Sequence, residues 1–102
     1  AVDSSTVRQQ AMSDFATAVF TAKPTVNVVW GTMPYQQNNQ TTYPVSTEWQ
    51  TEWAKWTGKK IVKADVATRL GIATENFYDM IHPSIYGYER IATALFDAIV
   101  AN

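Results

Sequence analysis

Apolar residues recur every three or four positions in two stretches of the chain. In the first stretch, residues 5–21, they are Val7, Ala11, Met12, Phe15, Ala16, Val19 and Phe20. In the second stretch, which follows Ser84, they are Ile85, Tyr88, Ile91, Ala92, Leu95 and Ile99. This spacing is typical of a helix with one apolar face. It predicts an amphipathic helix at each end of the chain, the second with Ser84 as its N-cap and with its face packed on apolar surface.

Two short apolar runs, residues 26–30 and residues 60–66, predict buried strands, and Gly31 closes the first of them. A helix is predicted between the two strands, and such a crossover makes the strands parallel. The loops that follow them, residues 32–45 and residues 67–83, then open at one carboxyl edge. Open α/β sheets bind their ligands at that edge.

The helix between the strands is predicted to begin after Pro44, with Ser46 or Thr47 as its N-cap. It is predicted to end at Thr57, with Gly58 as the C-terminal stop. Three of its aromatic residues share one face: Trp49, Trp53 and Trp56. Aromatic residues at helical spacing favour packing in a core or an interface, and the alternative is a platform on which a sugar stacks.

Asp79 and His82 are the residues best suited to chemistry, and His82 is the single histidine of the chain. An imidazole near neutral pH can take a proton from a serine hydroxyl and return it to a leaving group when a carboxylate fixes its tautomer. Pro83 disfavours helical geometry at His82, so we expect the pair on a loop. The alternative is a surface histidine beside a helix start, with a solvated carboxylate nearby.

The segment from Asp79 to Ala92 reads Asp-Met-Ile-His-Pro-Ser-Ile-Tyr-Gly-Tyr-Glu-Arg-Ile-Ala. It resembles the last conserved block of the SGNH, or GDSL-type, hydrolases, which are serine esterases and lipases. The pattern in that family is Asp-x-x-His-Pro-[Asn/Ser/Thr]-x-x-Gly-[Tyr/His], and it supplies the catalytic Asp and His. Asp79 and His82 match those two positions. Pro, Gly and Tyr also fall at the expected offsets, and Gly87 is expected to permit a close approach of backbone near His82.

The resemblance implies an α/β fold, namely the C-terminal part of a flavodoxin-like three-layer SGNH hydrolase, with two parallel strands and flanking helices. Residues 1–102 would then be a single partial domain, the C-terminal half of such a hydrolase. Two parallel strands with three helices leave sheet edges unpaired, which agrees with a partial fold. A start at Ala1 without methionine favours a processed or trimmed chain.

The nucleophile of the family is missing from the sequence. SGNH hydrolases carry a Gly-Asp-Ser segment after their first strand and a Gly-x-Asn-Asp segment further on, and neither occurs here. Asp3-Ser4 is the nearest approach, but Val2 replaces the glycine and no strand precedes it. Ser84 is better explained as a helix cap. The resemblance therefore implies the acid–base half of an ester hydrolase, with the serine supplied by an N-terminal half or a companion chain.

Composition excludes several other classes of function. Eight basic and nine acidic residues give a net charge of -1, so no electrostatic feature points to nucleic acid or to an anionic membrane. No apolar run is long enough to span a bilayer. The absence of cysteine excludes a disulfide framework and a thiolate zinc site, and it leaves the compartment open, an extracellular one included.

The remaining candidates concern ligands. Asp79 and His82 could bind a metal only with further carboxylates such as Asp65 or Glu75, and the esterase chemistry needs neither metal nor organic cofactor. Trp30 and Tyr86 are candidate substrate-binding residues. The range of substrates in the family that the chain resembles, together with the amide-rich segment 36–40 and the tryptophans, suggests an acetylated sugar as the ester substrate. The alternative function is a non-catalytic carbohydrate-binding or assembly module of the same fold.

Overall fold

The computed structural model of the protein describes residues 4–34, 44–79 and 82–102. Its helices and strands are α1 (Ser5–Ala22), β1 (Val28–Gly31), α2 (Pro44–Ala54), β2 (Ile61–Ala64), α3 (Val66–Leu70) and α4 (Ile85–Ala101), with a 3-10 turn at Thr74–Asn76. The predicted order of helix, strand, helix, strand and helix is confirmed for the two strands and the three longer helices; α3 and the 3-10 turn lie between β2 and α4. The chain forms two compact units, the first containing α1 and α2, and the second containing both strands, α3, the 3-10 turn and α4.

The core of the first unit is aromatic. The buried apolar residues of α1 recur every fourth position: Met12, Ala16 and Phe20. On α2, Trp49 and Trp53 stack with their ring centroids 5.2 Å apart. Trp56 follows the helix, and its ring centroid lies 5.0 Å from that of Phe20. Trp53 is buried. The packing interpretation of the tryptophan row is therefore confirmed.

The predicted ends of α2 are wrong. The helix begins at Pro44, so Ser46 and Thr47 lie inside its first turns and cannot be its N-cap. Proline suits the first position of a helix because its φ is already helical and its missing N–H is not needed there. The helix ends at Ala54 rather than at residue 57. Gly58 instead serves the turn that follows, where its φ of 81° is unfavourable for any residue with a side chain.

Glu48 of α2 accepts hydrogen bonds from two residues of α1. Arg8 donates from Nε and Nη2 to the two carboxylate oxygens of Glu48, at 2.8 and 3.0 Å, and the Ser5 hydroxyl donates to the same group. These hydrogen bonds, first that of Arg8 and then that of Ser5, hold the pKa of Glu48 below its usual value of 4.5. The two helices are therefore joined by a contact that requires the ionised carboxylate.

We expect this contact to make the first unit sensitive to acid. Because the pKa of Glu48 is lower in the folded chain than in the unfolded chain, its stabilisation is present above the unfolded value and is lost as the pH falls through the folded value. Urea unfolding of the chain at pH 7 and at progressively lower pH should show this loss below about pH 4.5. Glu48→Gln and Arg8→Gln should both flatten this part of the profile. Equal acid sensitivity in all three proteins would contradict the assignment.

In the second unit, β1 and β2 pair in parallel, with Val28 opposite Ile61 and Gly31 opposite Ala64. The predicted parallel crossover is thus confirmed. The second strand is shorter than residues 60–66, because Asp65 takes the N-cap position of α3 and Val66 is already helical. The core of this unit lies between the sheet and α4, and its buried residues are Ala64, Val66, Ala94 and Ala98.

Only part of the predicted apolar face of α4 is buried. Ile91 and Leu95 pack against the core, as expected. Ile85, Tyr88, Ala92 and Ile99 are exposed, so the prediction is wrong for them. The buried positions are instead the small ones: Gly87, Ala94 and Ala98. Small residues allow the helix axis to come close to the sheet, and the larger apolar side chains are left on the neighbouring face.

Candidate active site

The segment that carries Asp79 and His82 folds back on itself between the 3-10 turn and α4. Phe77 and Pro83 form an isolated antiparallel bridge. Within it the Tyr78 amide donates to the His82 carbonyl oxygen at 2.8 Å. We call the described residues 77–79 and 82–83 the dyad loop; Met80 and Ile81 lie outside the described residues. The bridge brings together two residues that the sequence places three positions apart.

Asp79 holds His82 with both of its carboxylate oxygens. Oδ1 accepts a hydrogen bond from the backbone N–H of His82 at 2.6 Å, and Oδ2 lies 2.9 Å from Nδ1 of the imidazole. A carboxylate at Nδ1 favours the tautomer with its proton on that nitrogen, which leaves Nε2 with a lone pair. An imidazole in this state can act as a general base.

The dyad of Asp79 and His82 is open to solvent. The side chain of His82 is 68% exposed and that of Asp79 is 47% exposed. An ion pair in contact with water contributes only about 0–1 kcal/mol, so its own attraction does little to fix its geometry. The exposure also leaves room for another polypeptide or a ligand to approach the imidazole.

The dyad loop lies on the carboxyl side of the two strands. Asn102, at the end of α4, donates from Nδ2 to the carbonyl oxygen of Val28, the first residue of β1, at 3.1 Å. Leu95 lies beside Gly31, the last residue of β1. The helix therefore runs antiparallel to the strands. At about 1.5 Å per residue, Ile85 lies about 15 Å beyond Leu95 on the carboxyl side. This is the side on which open α/β sheets bind ligands.

Ser84 is the hydroxyl nearest to His82 in sequence, and it is engaged as a helix cap. Its Oγ accepts a hydrogen bond from the Gly87 amide at 3.2 Å and donates one to the Glu75 carbonyl oxygen at 2.6 Å. The predicted N-cap role of Ser84 is confirmed. Because these two hydrogen bonds use its proton and one of its lone pairs, we assign the Ser84 hydroxyl a structural role and not that of a nucleophile.

Ser4, the serine of the Asp3-Ser4 pair, has a similar structural role. It is the N-cap of α1, and its hydroxyl accepts a hydrogen bond from the Val7 amide at 3.3 Å. Asp3 lies outside the described residues. Ser4 therefore begins a helix, whereas the family nucleophile follows a strand.

The two predicted substrate-binding residues occupy different surroundings. Tyr86 is exposed and lines a groove of about 460 Å3 beside the start of α4. Among the described residues, the lining is Glu75, Asn76, Tyr86, Glu89 and Arg90. Trp30 is half-buried in β1, opposite Lys63, and is not in this group. Both assignments stay predictions. The amide-rich segment 36–40 lies outside the described residues.

The carboxylates considered as metal ligands do not form a cluster. Asp65 lies at the N-cap of α3, and Glu75 belongs to the 3-10 turn. Within residues 4–34, 44–79 and 82–102, no three side chains of His, Cys, Asp or Glu are grouped so that they could hold a metal ion. Across the same ranges, none of the helices combines the length and the apolar character needed to cross a membrane.

Asn76 is a structural residue of the site that the sequence did not indicate. It is 5% exposed, and its Nδ2 donates to the carbonyl oxygen of Leu70 at 2.9 Å. Its own backbone carbonyl accepts from the Ser84 amide at 2.9 Å. A single asparagine before an aromatic residue forms no periodic pattern from which its burial could be predicted. Its role is visible only in the structure, where its carbonyl oxygen lies against Gly87 of α4.

We compared the chain with protein-family models, with curated proteins and with solved structures, and none of them matches it.

Proposed function

We propose that this chain supplies the general base and its orienting acid to an SGNH-type serine ester hydrolase. His82 is the base and Asp79 is the acid. The nucleophilic serine and the oxyanion-hole donors belong to an N-terminal half or a companion chain that carries Gly-Asp-Ser. The observation that carries the proposal is the double attachment of His82 to Asp79, through its backbone amide and through Nδ1.

The chemistry is acyl transfer in two steps. The companion's serine oxygen attacks the ester carbonyl while Nε2 of His82 takes the hydroxyl proton. His82 then gives this proton to the departing alcohol, and an acyl-serine remains. Water attacks the acyl-serine with His82 again as the base, which releases the carboxylic acid and restores the serine. Asp79 stabilises the imidazolium that forms in each step and keeps Nε2 directed at the reacting oxygen.

Three features of the second unit support this assignment. The dyad loop lies beyond the carboxyl ends of parallel strands, and the dyad is exposed rather than covered by its own chain. The hydroxyl of Ser84 is engaged in capping α4. An acetylated sugar is the substrate that we propose, and the polar groove beside Tyr86 is of a size that accepts a small ligand.

The native material provides the direct test. We expect the native material to contain a polypeptide that carries Gly-Asp-Ser and reacts with a fluorophosphonate probe, either as a longer chain that includes this sequence or as a companion in equal amount. Intact-mass analysis before and after labelling measures both properties. Recovery of the chain alone, with no fluorophosphonate-reactive polypeptide, would contradict the proposal.

The isolated chain should be nearly inactive as an esterase. Without the serine, a triad loses several orders of magnitude in rate. We expect the purified 102-residue chain to hydrolyse p-nitrophenyl acetate no faster than free imidazole at the same concentration. Free imidazole and His82→Ala are the controls. Rapid turnover that disappears in His82→Ala would mean that the chain contains its own nucleophile.

A non-catalytic binding or assembly module is the second candidate, and the exposure of the dyad favours it. A structural pair on a surface loop would show the same hydrogen bonds without any reacting group nearby. Binding of acetylated oligosaccharides that survives Asp79→Asn and His82→Ala, together with a homogeneous 11.4 kDa species, would support this function instead.

A further inference from the structure

The two ends of the dyad loop are fastened to each other by backbone hydrogen bonds. The amide of Ser84, just after the loop, donates to the carbonyl oxygen of Asn76, just before it, at 2.9 Å. The Ser84 hydroxyl adds a bond of 2.6 Å to the carbonyl oxygen of Glu75. Ser84 therefore joins the two ends of the loop outside the Phe77–Pro83 bridge and adds to the hydrogen bond between Tyr78 and His82.

The entry end of the loop is anchored in the core of the second unit. The buried side chain of Asn76 donates from Nδ2 to the carbonyl oxygen of Leu70. Leu70 is the last residue of α3, and its side chain is among the least exposed of the described part of the chain, at 1%. This hydrogen bond joins the 3-10 turn to α3 and gives the loop a fixed support on that side.

The exit end of the loop is anchored by the first turn of α4. The Gly87 amide donates to the Ser84 hydroxyl, which places that hydroxyl at the helix N-terminus. A Cβ atom at Gly87 would lie only 2.0 Å from the Asn76 carbonyl oxygen. The first turn of the helix can therefore lie against Asn76 only because residue 87 has no side chain.

We infer that Asn76, Ser84 and Gly87 are positioning residues for the dyad. They fix the two ends of the dyad loop, and this fixes the separation of Asp79 from His82. An exposed carboxylate–imidazole pair has too little attraction of its own to hold one geometry against water. The hydrogen bonds and the close contact at the ends of the loop provide that order. The catalytic meaning of this inference depends on the proposed function, whereas the positioning itself does not.

The test compares Ser84→Ala with two matched variants in the 15N-labelled chain. Ser84→Thr retains a hydroxyl and should behave as the unchanged protein. Ser4→Ala removes the same kind of cap from α1, a helix of the first unit. Asn76→Ala removes the donor to Leu70 while leaving Ser84 intact, and it provides an independent route to the same effect.

Two measurements report on the dyad loop. The 15N shifts of the imidazole show which ring nitrogen carries the proton, and hydrogen exchange at the Tyr78 amide shows whether the loop opens. In the unchanged protein we expect the proton on Nδ1 and a protected Tyr78 amide. In Ser84→Ala and in Asn76→Ala we expect a mixture of tautomers and exchange that is about tenfold faster, the size expected for losing one cap or one hydrogen bond.

Ser4→Ala and Ser84→Thr should leave both signals unchanged. The inference is overturned if Ser84→Ala and Asn76→Ala keep the tautomer and the exchange rate of the unchanged protein. It is equally overturned if Ser4→Ala alters the imidazole signals as much as Ser84→Ala does, because the effect would then come from general loss of stability. None of these measurements requires esterase activity, so failure of the proposed function would leave their outcome unaffected.

Discussion

His82→Ala, tested in a complex of this chain with the proposed serine-bearing part, should lower kcat by about 10^6-fold, the loss seen when a triad histidine is removed. The reason is that the serine loses the base that accepts its proton, and the leaving group loses its acid. Asp79→Asn should cost about 10^4-fold. The asparagine amide would place a donor at Nδ1, which favours the tautomer with its proton on Nε2 and so removes the base.

The matched control is Asp97→Asn. Asp97 is an exposed carboxylate of α4 whose Oδ2 lies 2.9 Å from Nη2 of Arg69, so the change also removes a charge from a surface pair. We expect it to leave kcat and KM as they are. The rate of ester hydrolysis by the complex is measured at saturating substrate, which gives kcat, and at low substrate, which gives kcat/KM. These values distinguish the dyad variants from the control. A loss below about tenfold for His82→Ala would show that another group is the base.

Gly87→Ala is expected to destabilise the chain, although alanine is the better helix former. The exchange gains about 1 kcal/mol from helix propensity. The added methyl, however, would lie 2.0 Å from the Asn76 carbonyl oxygen and 3.0 Å from Cβ of Pro83, and a backbone atom cannot move aside as a flexible side chain can. Overpacking costs about 1–3 kcal/mol, and a contact this short with a backbone atom belongs at the upper end, so after the propensity gain we expect a net loss of about 2 kcal/mol, a factor of roughly 30 in the folding equilibrium.

Urea unfolding followed by circular dichroism measures this loss. The control is the reverse exchange at an exposed position of the same helix, Ala92→Gly, which should cost about 1 kcal/mol through propensity alone. If Gly87→Ala were instead as stable as the unchanged protein or more stable, the contact between α4 and the 3-10 turn would not be as close as described.

The amino-acid sequence predicted those features that depend on neighbouring residues. The periodicity of residues 5–21 predicted α1 almost to its ends, and Ser84 was identified as the cap of α4. The short helix α3 was missed, although Asp65 at its start and Gly71 at its end, with a φ of 58°, are recognisable boundary signals. A helix of five residues is too short for its periodicity to be distinguished from an apolar strand.

The sequence alone determined the order of the two strands and the three longer helices, and the parallel pairing of the strands. These follow from local periodicity and from the helix that connects the two strands, which do not depend on the rest of the fold. Tertiary structure decided which face of α4 is buried and gave Asn76 its role. The physical reason is close packing: the helix turns its small residues to the sheet, and this choice depends on distances between segments that are remote in sequence.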